Sequence, residues 1–180
     1  MIERMRDAAY AGNISKDWTG AVGGYLHTGD PYHPWSKADW ARFPRNRKLP
    51  IVAMSHPGGR NPEMDAFAVL WELYDLRVPK NVPTVLDLET AVDFTYVAVY
   101  GAILHWNGYR VWPYGSTSTL FQNPQLHGYW AAAPSKDGQP YMYQRSGALI
   151  QATQYRDSVK PGYDASTIRW WAYRRGLWWV

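Results

Sequence analysis

The sequence predicts an α/β fold, a compact and incomplete (β/α)8 barrel, with an open doubly wound sheet as the alternative. Three observations lead there. Short β-favouring runs alternate with helical or loop segments along the chain. Seven or eight such runs are present, enough to close a sheet on itself. The chain has 180 residues, which suits a single domain over 1–180 but is short for a fully decorated barrel, so several connections must be loops or single turns.

The first β-like run, Ala9 to Ala11, is weak; Ala21 to Leu26 and Pro50 to Met54 follow it. A helix is predicted next, because Asn61-Pro62-Glu63 supplies an N-cap, a first-turn proline and an early acid. Met64, Phe67, Leu70, Trp71 and Tyr74 recur at helical spacing behind it, and Pro79 stops the segment. Thr84 to Leu88 is the next strand. Thr90 with Asp93 resembles a capping pair for a second helix, whose stripe is Phe94, Val97, Ala98, Gly101 and Leu104 and whose exit is Gly108. Strands are then predicted over Val111 to Tyr114, Gly128 to Ala132 and Ala148 to Gln154, with a short one around Tyr163 to Ala165. A third helix is predicted from Ser166 to Arg175, with Ile168, Trp171 and Ala172 on one side. The polar segment Pro134 to Gln144 reads as an exposed loop.

Hydrophobic content of 46% and charged content of 19% are those of a folded globule. The absence of cysteine excludes disulfides, zinc-thiolate sites and thiol nucleophiles. The five histidines show no ligand spacing, and Ser55-His-Pro-Gly-Gly59 lacks the Lys-Ser/Thr of a phosphate-binding loop. Neither a metal nor another cofactor is expected. No apolar stretch approaches a membrane span, and the N-terminus shows no secretion signal. Net charge is +4, a mild bias towards anionic partners. The cations form only short groups, Arg45-Asn-Arg-Lys48 and Arg174-Arg175, so an anionic wall polymer fits as well as nucleic acid, which is not expected. The outlier is aromatic content: 11 Trp and 14 Tyr against 4 Phe. Such residues join a flat face to a polar tip, as sugar-binding clefts require.

Val85-Leu-Asp-Leu-Glu-Thr90 is the segment that points to chemistry. Alternation on a strand puts Asp87 and Glu89 on one face and Leu86 and Leu88 on the other. Two strand residues span roughly 6.6 Å, within the range of carboxylate pairs that act on sugars. Buried charges need partners, so a working acid pair is the reading to test.

Four segments in order resemble the glycoside hydrolase family 25 lysozymes and related barrels of phages and actinobacteria. They are Val85-Leu-Asp-Leu-Glu89; Val111-Trp-Pro-Tyr-Gly-Ser116; Gly128-Tyr-Trp-Ala-Ala-Ala133; and Ala152-Thr-Gln-Tyr-Arg-Asp157 followed by Gly162-Tyr-Asp164. The resemblance implies that Glu89 is the general acid, its proton retained with the help of Asp87, and that Asp164 flanks them. It implies sugar contacts from Tyr114, Trp130, Gln154 and Tyr155. The aspartate that these lysozymes carry at the end of their first strand has no clear counterpart, since Asp7, Asp17 and Asp30 do not read as strand ends. The function implied is cleavage of β-1,4 links between N-acetylated sugars of bacterial cell-wall glycan, by a phage endolysin or a tail-associated module released to the wall or carried on the virion. The alternative is a virion structural or receptor-binding protein that keeps the barrel without turnover. It would contact other phage tail proteins or self-associate through Trp178 and Trp179.

Overall fold

The structure, a computed structural model, describes residues 2–29, 33–54, 57–159 and 162–176. The strands are β1 (Ile2–Asp7), β2 (Ala21–Tyr25), β3 (Lys48–Ala53), β4 (Pro83–Asp87), β5 (Arg110–Ser116), β6 (Tyr129–Ala132), β7 (Ile150–Val159) and β8 (Tyr163–Arg169). They form a closed barrel in chain order. Neighbours from β1 to β7 are parallel, whereas β8 is antiparallel to both β7 and β1. The α/β barrel is therefore closed, and the open sheet is not adopted. Its incompleteness lies in the connections. The helices α1 (Lys37–Ala41), α2 (Pro62–Asp75) and α3 (Phe94–Trp106) cover β2 to β5, while β7 turns directly into β8. The last helix, α4 (Trp170–Gly176), follows β8, and its Ala172 packs with the residues that fill the barrel. No helix among the described residues is long and apolar enough to cross a membrane.

Alternation along each strand divides the core in two. Inward side chains, among them Met5, Ile51, Val85, Trp112, Trp130 and Ile168, fill the barrel. Outward ones such as Val22, Val52, Leu86 and Leu88 pack against Val69, Leu73, Val97 and Tyr100 of the helices. A one-residue slip in β4 would exchange the two sets.

Several sequence expectations are corrected. Ala9 to Ala11 is not a strand: a single 3-10 turn covers Ala11–Asn13, and the first strand lies earlier, at Ile2–Asp7. The helix expected from Ser166 begins at Trp170, because Ser166 to Arg169 complete β8, with Ile168 inside the barrel. The α3 cap is Asp93 alone, whose carboxylate accepts from Tyr96 N–H at 2.9 Å. In α2 the Asn61 cap holds, accepting from Glu63 and Met64 N–H. Its aromatic stripe, however, faces solvent, with Trp71 72% and Tyr74 75% exposed. The smaller Ala66, Val69 and Leu73 face inward, which lets the helix sit close to Tyr96 and Tyr100.

Candidate active site

The C-terminal ends of β1, β2, β4, β5 and β7 open at one mouth, the end where sites of such barrels lie. Because β8 runs the other way, its beginning faces that same mouth. Asp164, second in β8, is thus the direct partner of Asp7, last in β1. Directly paired residues project to one face, so two carboxylates meet across this junction. Asp7 is buried, at 5% exposure, and supplies the strand-end aspartate that sequence reading did not find. The signal was hidden because β1 reads Ile-Glu-Arg-Met-Arg-Asp, with charges where a strand pattern needs apolar residues. Gly23 makes room for it: a Cβ there would stand 2.8 Å from Asp7 Cβ.

Asp87 ends β4 and is 6% exposed. Burial, then the nearby Glu89 carboxylate and, more weakly, Asp164 push its carboxyl up to about 7, against hydrogen bonds from Glu89 N–H (3.2 Å) and Tyr25. Glu89 itself is exposed and lies beyond the strand, in a turn with φ of 48°. The two acids therefore do not share a strand face, although Leu86 and Leu88 do share the outer one. The chain bends at Glu89 because β5 holds its backbone. Leu88 N–H donates to Tyr114 O at 3.0 Å and Ser116 N–H to Glu89 O at 2.9 Å. Gly115 permits that approach, since a Cβ there would lie 2.4 Å from Glu89 O. A left-handed residue other than glycine is strained, and the strain sits where a carboxylate is lifted over the mouth.

Tyr25, at the end of β2, is the second residue that sequence reading missed. Burial and the surrounding Asp87, Asp7, Tyr114 and Asp164 raise its phenol well above the ordinary value, so it stays a proton donor. Tyr114 OH donates to Gln154 Oε1, joining β5 to β7 across the rim. Trp130 is 1% exposed and meets Tyr114 edge-on at 5.0 Å. It supports Tyr114 from inside the barrel and has no face for a sugar, contrary to the sequence expectation. Tyr155 is also displaced from the expected place: it lines a hollow with Arg4, Arg6 and Tyr163 on the outside of β7, β8 and β1. The mouth thus gathers Asp7, Tyr25, Asp87, Glu89, Tyr114, Gln154 and Asp164. Among the described residues, no group of three or more side chains is arranged to hold a metal ion. Trp178 and Trp179, expected at an interface, lie outside the described residues.

No family model matches the chain, and no curated protein matches it. Solved structures do. An uncharacterized protein of B. stearothermophilus superposes with a TM-score of 0.75 at 17% identity, over 97% of this chain and 99% of that one. The family 25 lysozyme of Aspergillus fumigatus gives 0.67 at 14% identity, over 94% of each chain. The modular autolysin LytC of Streptococcus pneumoniae, solved with a synthetic peptidoglycan ligand, gives 0.67 at 15%, over 93% of this chain and 47% of that one.

Proposed function

We propose that this chain, whose fold is that of the family 25 lysozymes, cleaves β-1,4 links between N-acetylated sugars of bacterial cell-wall glycan. The observation that carries the reading is the clustering of Asp7, Asp87, Glu89 and Asp164 at one mouth, with a raised pKa in its midst. Like charges this close are costly to the fold, and such arrangements concentrate at working sites.

Glu89 is the group that reaches substrate. Asp87 beneath it is buried and, with the Glu89 carboxylate close by, keeps a proton up to about pH 7, which Glu89 relays to the mouth. That proton passes to the glycosidic oxygen as the C–O bond breaks; water then adds to the anomeric carbon and returns a proton to the site. Asp7 and Asp164 face the positive charge that develops on the sugar ring. Tyr114, held by Gln154, offers the ring at the rim. The reading of a virion protein without turnover drew on a missing first-strand aspartate, the aromatic surplus and the Trp-rich C-terminus; Asp7, at the end of β1, weakens the first of these.

Purified peptidoglycan incubated with the protein and with Glu89→Gln tests the proposal. Release of reducing ends is expected from the first and about 10²-fold less from the second. Equal background release from both would remove the enzymatic claim.

A further inference from the structure

Away from the mouth, one flank of the barrel carries two adjoining hollows, one where the β1–β2 connection meets the segment after α1 and one on the outer face of β1, β7 and β8. The larger, about 600 Å³, is lined by Lys16, Asp17, Arg42 and Arg45. The smaller, about 100 Å³, is lined by Arg4, Arg6, Arg156 and Tyr163. Trp18 lines both. Together they gather six cations and one carboxylate, a surplus of five. The whole chain has a surplus of four, so everything outside this flank is, in sum, one charge to the acidic side.

The channel has a fixed frame. Trp18 Nε1–H donates to Ala21 O at 2.8 Å. Asn46 Nδ2–H donates to Trp18 O at 2.6 Å and Gly20 O at 2.7 Å. Gly20 lets the indole lie against β1: a Cβ there would stand 2.4 Å from Trp18 Cζ2 and 2.5 Å from Arg4 O. The Arg6 guanidinium is then held between Trp18, at 4.0 Å, and Tyr163, at 4.1 Å. Stacking fixes its plane and leaves its edge N–H groups for an acceptor. Arg4 leaves the same face of β1 about 6.6 Å away. Among the described residues, Arg4, Arg6, Arg45 and Arg156 have no carboxylate partner.

We propose that this flank binds a linear wall polyanion, a phosphodiester-linked polyol chain laid from the Lys16–Arg45 hollow past Trp18 to Arg156. Guanidinium forks match phosphate oxygens, and a row of them suits repeating charges. A nucleic acid strand would need open ring faces for its bases, but Arg6 already covers Trp18 and Tyr163. The proposal rests on the wall-directed reading above and deepens it: the flank would hold the polymer while the mouth engages glycan of the same wall, raising the effective concentration of substrate.

The test uses the full chain and poly(glycerol phosphate), with sodium polygalacturonate and oligothymidylate as comparison polymers, titrated calorimetrically at two salt concentrations. The flank variant is Arg4→Gln/Arg45→Gln/Arg156→Gln, three exposed positions; the control with equal charge loss is Arg77→Gln/Lys80→Gln/Arg145→Gln. Poly(glycerol phosphate) is expected to bind about tenfold more weakly to the flank variant, with a salt slope shallower by about 2. The control is expected to stay within about twofold of the parent. Absence of binding, equal weakening in both variants, or equal or tighter binding of either comparison polymer would overturn the proposal. Hydrolysis of polymer-free peptidoglycan, read in parallel, is expected to be unchanged in the flank variant. Its absence from the parent protein alongside retained binding would sink the enzymatic reading and leave this one standing.

Discussion

Asp87, proposed as part of the site, is a buried carboxyl that costs the fold stability. Its carboxyl is raised from 3.8 to about 7, chiefly by burial and then by Glu89. Between those values the folded chain holds a proton that the unfolded chain has released. Stability therefore falls as pH rises from about 4 to about 7, and the loss is complete above that window. Asparagine removes this burden while still accepting from Glu89 N–H. We expect Asp87→Asn to gain about 2–4 kcal/mol at pH 8 and little at pH 4, measured by denaturant unfolding at both. Equal gains at the two would show that the charge is not the cause. The same variant is expected to cleave peptidoglycan about tenfold or more slowly, the exchange of stability for activity common at such sites. Asp7→Asn should likewise lower cleavage, about tenfold or more, if the β1–β8 carboxylates face the reacting sugar. Unchanged turnover in reducing-end assays would remove Asp7 from the site.

Among the elements, α2 separates helix formation from helix orientation. Asn61, Pro62 and the early acids start it whatever lies beside it, and Asn61→Ala is expected to cost about 1 kcal/mol. The spacing of Met64, Phe67, Trp71 and Tyr74 announces the helix correctly but marks its outer face. Trp71→Ser should therefore change stability by no more than about 0.5 kcal/mol, whereas Leu73→Ala, fully buried, should cost about 2–5 kcal/mol. Thermal or denaturant melts of the two variants discriminate the faces. A large loss at Trp71 would mean that the stripe is covered.

On the scale of the whole molecule, β8 closes the barrel and completes the site together. It pairs along β1 from Ile2↔Arg169 to Asp7↔Asp164 and along β7 on its other side. A chain ending before Tyr163 would leave β1 and β7 with open edges and the interior Trp112 and Trp130 without Ile168. Such a truncation is expected to give no cooperative melt and to aggregate. A sigmoidal transition near that of the full chain would show that closure is not needed.

The strands from Ala21 onwards, the helices α2 and α3, and the Asp87–Glu89 segment were legible in the sequence because each is set by local pattern: apolar runs, caps and turn residues. β1 was not, because its outward positions carry Arg4 and Arg6 in place of the alternation that marks a strand, and the barrel alone gives it partners. Trp130 could be a platform or a core residue by its chemistry; only closure of the ring buried it. Glu89 left the strand because β5 clamps its backbone, a contact between residues far apart in sequence. Order along the chain determined which carboxylates exist and near which strand ends. The antiparallel return of β8, which sets Asp164 against Asp7, follows from long-range pairing, and pairing energies of that kind leave no mark on neighbouring letters.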